Sequence, residues 1–181
     1  MNDYWKMGNS MIHDALSEFL SGARLTVVLG VGSELRGDDA AGILVARRLA
    51  QSSAALVGAG APEGGSPRLV ALEGHTAPES FAGKIIKLKP SHVLIVDAAQ
   101  MGLEPGEWGM LGREELDKSI TSTHLIPLTA LAKHLEDECG CAVGFVGMQT
   151  GACGVAVGVS EPVQRAIDAI SDKIVRIISK N

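Results

Sequence analysis

Apolar positions recur along the chain in two rhythms. Short unbroken runs of Val, Ile and Leu predict buried strands, and runs spaced by three and four predict helices. Met11, Ile12, Ala15, Leu16, Phe19 and Leu20 share one helical face that opens at Ser10, with Gly22 as its stop. A strand at Leu25–Leu29 follows. The next helix covers Ala40–Ala50, with Ile43, Leu44, the Arg47 stem and Leu49 inward and Arg48 outward. Ser52–Pro67, rich in Gly, Ala, Pro and Ser, reads as a long connection with a strand or helical piece around Ala54–Val57.

Arg68–Leu72 is the second strand, running into Glu73, Gly74 and His75. A short helix then opens at Thr76-Ala77-Pro78-Glu79, with Thr76 as N-cap. The third strand, His92–Val96, ends at Asp97, and its continuous apolar run predicts burial on both faces. Gly102–Gly106 is a turn, Glu107–Leu111 a fourth strand, Arg113–Leu116 one helical turn, and Ile120–Ile126 an irregular polar stretch. Pro127 suits the first position of a helix that buries Leu128, Leu131, Ala132 and Leu135 and stops near Gly140. Ala142–Met148 is the fifth strand, and 149–159 a glycine-rich loop. The last helix starts at Ser160-Glu161-Pro162 and buries Val163, Ile167, Ile170, Ile174 and Ile177.

Strands alternating with helices predict an α/β fold: a three-layer α/β/α sandwich around a five-stranded, mostly parallel twisted sheet. Residues 1–24 form an N-terminal extension with one helix, and residues 25–181 a single domain. If strands 2 and 3 flank strand 1, the chain reverses there, and a ligand crevice opens beyond the strands' carboxyl ends. Asp39 lies just past strand 1 and Asp97 at the end of strand 3, so both carboxylates would face that crevice. His124, on the polar loop before a helix, is placed to close over it. Two carboxylates and a histidine suit a borderline divalent cation with open coordination positions.

Each of these residues also has a plain structural reading. Asp39 can cap a helix, Asp97 can accept loop amides, and His124 can be a surface histidine. Glu73 and His75 reach the same edge of the sheet, as auxiliary ligands or as loop residues. His13, His92 and His134 have no partners in sequence and read as structural.

The 181 residues carry a net charge of -5 and only six Phe, Tyr and Trp, which argues against nucleic-acid binding. Three cysteines, Cys139, Cys141 and Cys153, are an odd number in an ordinary composition, which fits a reducing cytoplasm. No apolar run approaches the roughly 20 residues that span a bilayer, and the N-terminus lacks a signal-peptide pattern. The expectation is a cytoplasmic protein without membrane insertion.

The segment Gly30-Val31-Gly32-Ser33-Glu34-Leu35-Arg36-Gly37-Asp38-Asp39-Ala40-Ala41-Gly42 resembles the opening motif of the hydrogenase maturation endopeptidases. Leu94-Ile95-Val96-Asp97-Ala98 with Gly102 to Gly106 resembles their third-strand motif, and Thr121-Ser122-Thr123-His124-Leu125-Ile126-Pro127-Leu128 their histidine segment. Gly74–Glu79 and Val146–Gln149 add weaker matches. The resemblance runs from about residue 25 to 178 and is closest to the type serving the formate-hydrogenlyase hydrogenase. It implies an endopeptidase that removes a C-terminal extension from the nickel–iron hydrogenase large-subunit precursor after nickel insertion. It also implies that Asp39, Asp97 and His124 engage nickel supplied by that substrate. The family often has Asn where Ser33 stands, and usually Gly where His75 stands.

The absence of a His-Glu-x-x-His helix and of a Gly-x-Ser-x-Gly elbow argues against ordinary zinc and serine hydrolases. Two alternatives stay open. One is a non-catalytic nickel-centre chaperone on the same fold. The other is a nucleotide-binding protein: Gly30-x-Gly32 follows a strand, but Leu35 stands where the fingerprint needs its third glycine, and no nucleotide is expected.

Overall fold

The computed structural model describes residues 15–58, 69–113, 128–151, 153–155 and 157–180, the side chains of 53–58 excepted. Five strands, β1 (Thr26–Val31), β2 (Leu69–His75), β3 (His92–Ala99), β4 (Trp108–Leu111) and β5 (Ala142–Gln149), form one sheet in the order β2-β1-β3-β5-β4. β2, β1, β3 and β5 run parallel, and β4 closes the edge antiparallel to β5. The helices are α1 (residues 15–19), α2 (Ala41–Gly58), α3 (Ala82–Leu88), α4 (Leu128–Cys139) and α5 (Glu161–Ile178).

Alternation along the parallel strands divides the core into two layers. Val28, Leu94, Val96, Val146 and Met148 face α1, α2 and α5, where Leu16, Leu20, Val45, Leu49, Val163, Ile167, Ile170 and Ile174 meet them. Val27, Leu29, Val31, Val93, Ile95 and Phe145 face α3 and α4, against Ile85, Leu128, Leu131 and Leu135. This is the expected three-layer α/β/α sandwich. The expected extension helix is part of it over its described residues: Leu16 and Leu20 are completely buried, and Phe19 stacks edge-on against His92 with ring centroids 5.3 Å apart.

Several boundaries differ from the pattern-based ones. α2 continues to Gly58 through the segment read as an irregular connection, because nothing between Gln51 and Val57 breaks a helix. Thr76 is not an N-cap. A 3-10 turn at Pro78–Phe81 starts after Ala77 without a side-chain cap, and α3 follows it. On α5 the fully packed last-turn residue is Ile178, four after Ile174, while Ile177 is half-buried. β1, β2 and β3 run two or three residues beyond their expected ends, because their hydrogen-bond ladders continue past the purely apolar stretch. The turn expected over Arg113–Leu116, the polar stretch 120–126 and Pro127 lie, from residue 114 on, outside the described residues.

The sheet order puts the chain reversal between β1 and β3, whose registers pair Gly30 with Val96. Two glycines press the start of α2 onto these strand ends. A Cβ on Gly42 would stand 2.2 Å from the Val96 carbonyl oxygen and 2.4 Å from that of Val31. A Cβ on Gly32, at φ 135°, would stand 1.8 Å from the Asp39 carbonyl oxygen. Neither place accommodates a side chain.

Candidate active site

Between β1 and α2 the chain makes a 3-10 turn, Gly37–Ala40, that carries both aspartates. The two diverge in environment. Asp38 is completely buried. Its carboxylate accepts hydrogen bonds from the Gly151 N–H (2.8 Å), the Ser160 N–H (2.7 Å) and the Ser160 hydroxyl (3.0 Å). A buried carboxylate is tolerable when several donors meet it, and here they come from both ends of the loop between β5 and α5. Asp39 is half-buried at the carboxyl edge of the sheet, and its carbonyl takes the Ser33 N–H at 3.0 Å. The residue before the turn, Arg36, makes no side-chain cap.

Asp97 sits near the end of β3, half-buried, with one carboxylate oxygen accepting the Ala98 N–H at 2.9 Å. Asp39, on the turn that follows β1, and Asp97, near the end of β3, therefore share the carboxyl edge of neighbouring parallel strands, at the reversal point where sheets of this type bind ligands. His124 lies outside the described residues. Among the described residues, no three His, Cys, Asp or Glu side chains converge as a metal site. The hard oxygen donors of Asp39 and Asp97 suit a divalent cation that brings its remaining ligands with it.

Glu73 and His75 end β2 on the same edge. Arg47 of α2 holds Glu73, donating from Nε at 3.2 Å and from a terminal nitrogen at 2.5 Å, and it also pairs with Glu34. These two carboxylates, Glu73 foremost, hold the guanidinium charge more firmly than usual, and the hydrogen bond from Arg47 lowers Glu34 below its ordinary 4.5. The triad ties the loop after β1 to the end of β2. His75 is exposed, at φ 51°, with its Nε2 4.0 Å from Glu73.

On the other side, the buried Gln149 side chain fixes the loop that follows Asp97. It accepts the Met101 N–H (2.7 Å) and donates to Gln100 Oε1 (3.0 Å) and the Thr150 carbonyl (2.9 Å). Sequence reasoning passed over Asp38, Arg47 and Gln149 as site-shaping residues. The doubled aspartate was the one available signal for Asp38, and burial decides which of the pair faces inward. Cys141 is buried, and burial, reinforced by the neighbouring Cys139, pushes its thiol up to about 11, while Cys153 is exposed.

A sequence model of hydrogenase maturation proteases matches residues 60–177. The hydrogenase 3 maturation protease of Escherichia coli K12 is 32% identical over 82% of this chain and 87% of its own. A putative hydrogenase maturation protease of Methanocaldococcus jannaschii is 28% identical over 92% of this chain and 96% of its own. Among solved structures, the NiFe hydrogenase maturation protease HycI of Thermococcus kodakarensis superposes with a TM-score of 0.75 at 31% identity, covering 92% of this chain and 99% of that one. The E. coli endopeptidase HybD shares the fold at 22% identity and a TM-score of 0.64, covering 86% of this chain and 93% of that one. Among the described residues no helix is long and apolar enough to cross a membrane.

Proposed function

The chain belongs to the hydrogenase maturation protease family, and from that premise we propose that it removes the C-terminal extension of a nickel–iron hydrogenase large-subunit precursor after nickel insertion. In this reading Asp39, Asp97 and His124 recognise the nickel, which is part of the substrate. The observation that carries the reading is that Asp39, on the turn after β1, and Asp97, near the end of β3, share the carboxyl edge of adjacent parallel strands, at the topological reversal.

Recognition through the metal makes cleavage conditional. A nickel centre held by the precursor's own ligands takes two carboxylates and an imidazole into its open positions, and this brings the nearby peptide bond to the crevice. The carboxylate nearer that bond takes a proton from water as the water oxygen bonds to the carbonyl carbon. The carbon–nitrogen bond then breaks, and the proton passes to the leaving amine. Glu73 and His75 act here as loop residues, since Arg47 already engages the Glu73 carboxylate. The site is one of aspartates acting on a metal-bearing substrate, in a protein that works in the cytoplasm.

The test is intact mass of a large-subunit precursor, nickel-loaded and nickel-free, after incubation with the protein and with Asp39→Ala and His124→Ala. Peptide loss from the loaded form alone, reduced at least about 100-fold in both variants, is the expected result. Stable binding of loaded precursor without peptide loss would overturn it in favour of a nickel-centre chaperone. Stoichiometric metal kept by the free protein through chelator dialysis would overturn the assignment of nickel to the substrate.

A further inference from the structure

Among the described residues three large apolar side chains are exposed: Leu35 (75%), Val155 (79%) and Val157 (48%). They are not scattered. Leu35 lies three residues before Asp38, on the loop that leads into the Asp39 turn. Val155 and Val157 lie between Gly151 and Ser160, the two residues whose amides Asp38 binds. One buried carboxylate thus joins the only loops that carry such residues among those described, one position from Asp39.

The second loop is built to present itself. Residues 150–160 contain no charged side chain. Its base is fixed: both ends are tied to Asp38, Gly151 packs on Pro105, and Val159 packs on the core. Between those anchors the chain turns at Val155, with Val157 folded over Gly154, where a Cβ would stand 2.8 Å from the Val157 side chain. Exposed valines on an uncharged loop anchored at both ends mark a surface suited to another polypeptide.

We infer that the Leu35 loop and the 151–160 loop, pinned together by Asp38, form an apolar docking rim for the hydrogenase large-subunit precursor. The occupant is an uncharged, apolar stretch of that protein flanking its nickel centre. It is fixed as the precursor, rather than a second copy of this chain, by the rim's continuity with the Asp39 turn that the substrate must reach. The inference rests on the protease reading above.

The experiment measures both binding of nickel-loaded precursor and its processing, for the wild type, Val155→Asp and Leu35→Asp. Both positions are exposed, so the melting temperature should stay within a few degrees. The expected result is precursor affinity weakened at least tenfold in each variant, with a matching rise in KM and kcat within about twofold of wild type. Unchanged affinity and KM would overturn the docking rim while leaving the protease reading intact. A wild type that binds the precursor but never cleaves it would overturn the protease reading, and the binding comparison would still decide the rim. Concentration-dependent dimerisation in sedimentation, abolished by Val155→Asp with precursor affinity unchanged, would assign the rim to a second copy and overturn the proposal.

Discussion

His75 is held at φ 51°, in the left-handed region where a side chain costs roughly 1 kcal/mol and glycine costs nothing sterically. The resembled family usually has glycine at this position, and the backbone supplies the reason: β2 must turn sharply as it leaves the sheet edge. His75→Gly should therefore stabilise the fold slightly, by about 0.5 kcal/mol at most, the strain relief exceeding the added freedom of the unfolded chain. A urea midpoint lower than wild type would show that the imidazole near Glu73 contributes more than the strain costs. At the same scale, Asp38 and Asp39 show what sequence conveys and what it withholds. The Gly-Asp-Asp turn is legible as a site. Which aspartate is structural depends on Gly151 and Ser160, more than 110 residues away in the chain.

Among the elements, α1 contributes to stability out of proportion to its length. Leu16 and Leu20 are completely buried in the layer shared by α2 and α5, and Phe19 covers both His92 and the backbone at Gly144. Burying a Leu contributes about 1.5–3 kcal/mol, so a chain starting at Arg24 should lose at least about 3 kcal/mol. Urea unfolding reads this directly, and an unchanged midpoint would mean that α1 packs without contributing stability. The helical face of α1 was visible in the spacing of its apolar residues. Its docking partner was not, because a stripe states that it needs cover without stating which surface provides it. The early end assigned to α2 has a similar cause. A segment of Ala, Ser and Leu has helical propensity but no strong periodicity, and propagation from an established helix carries it onward.

For the whole molecule, the pH response follows from two sites that stitch elements together. Glu34 is held below 4.5, chiefly by its hydrogen bond from Arg47, so its contribution is present above pH 4.5 and is lost as pH falls through its lower folded value. His92 is held below 6.5 by burial at the start of β3, so the fold favours the neutral ring. Its contribution is complete above pH 6.5 and declines as pH falls through 6.5 towards the folded value. Urea midpoints taken from pH 8 downward should thus begin to fall below about 6.5, and His92→Gln should remove that first decline. The lower limb should weaken in high salt, because the Glu34–Arg47 pair is largely exposed. A His92→Gln profile identical to wild type would assign the first decline to another group.

By itself the sequence determined the local and periodic features. Five strands and their order of appearance, the helical faces, the glycine-marked turn and the three motifs follow from side-chain spacing and backbone permissiveness, which act over a few residues. It also determined the chemistry on offer: Asp39 stands on the turn after the first strand, and Asp97 near the end of the third. Tertiary structure decided the rest, because proximity across the sheet is a property of strand order. The order β2-β1-β3-β5-β4 makes the ends of β1 and β3 neighbours and brings both aspartates to one edge. Packing buried Asp38 under the loop after β5 and left Asp39 half-open. It also set Arg47 between Glu34 and Glu73 and placed Gln149 beneath the loop after Asp97. Each of these contacts joins residues 13 to 122 positions apart, and no local pattern carries information across such separations.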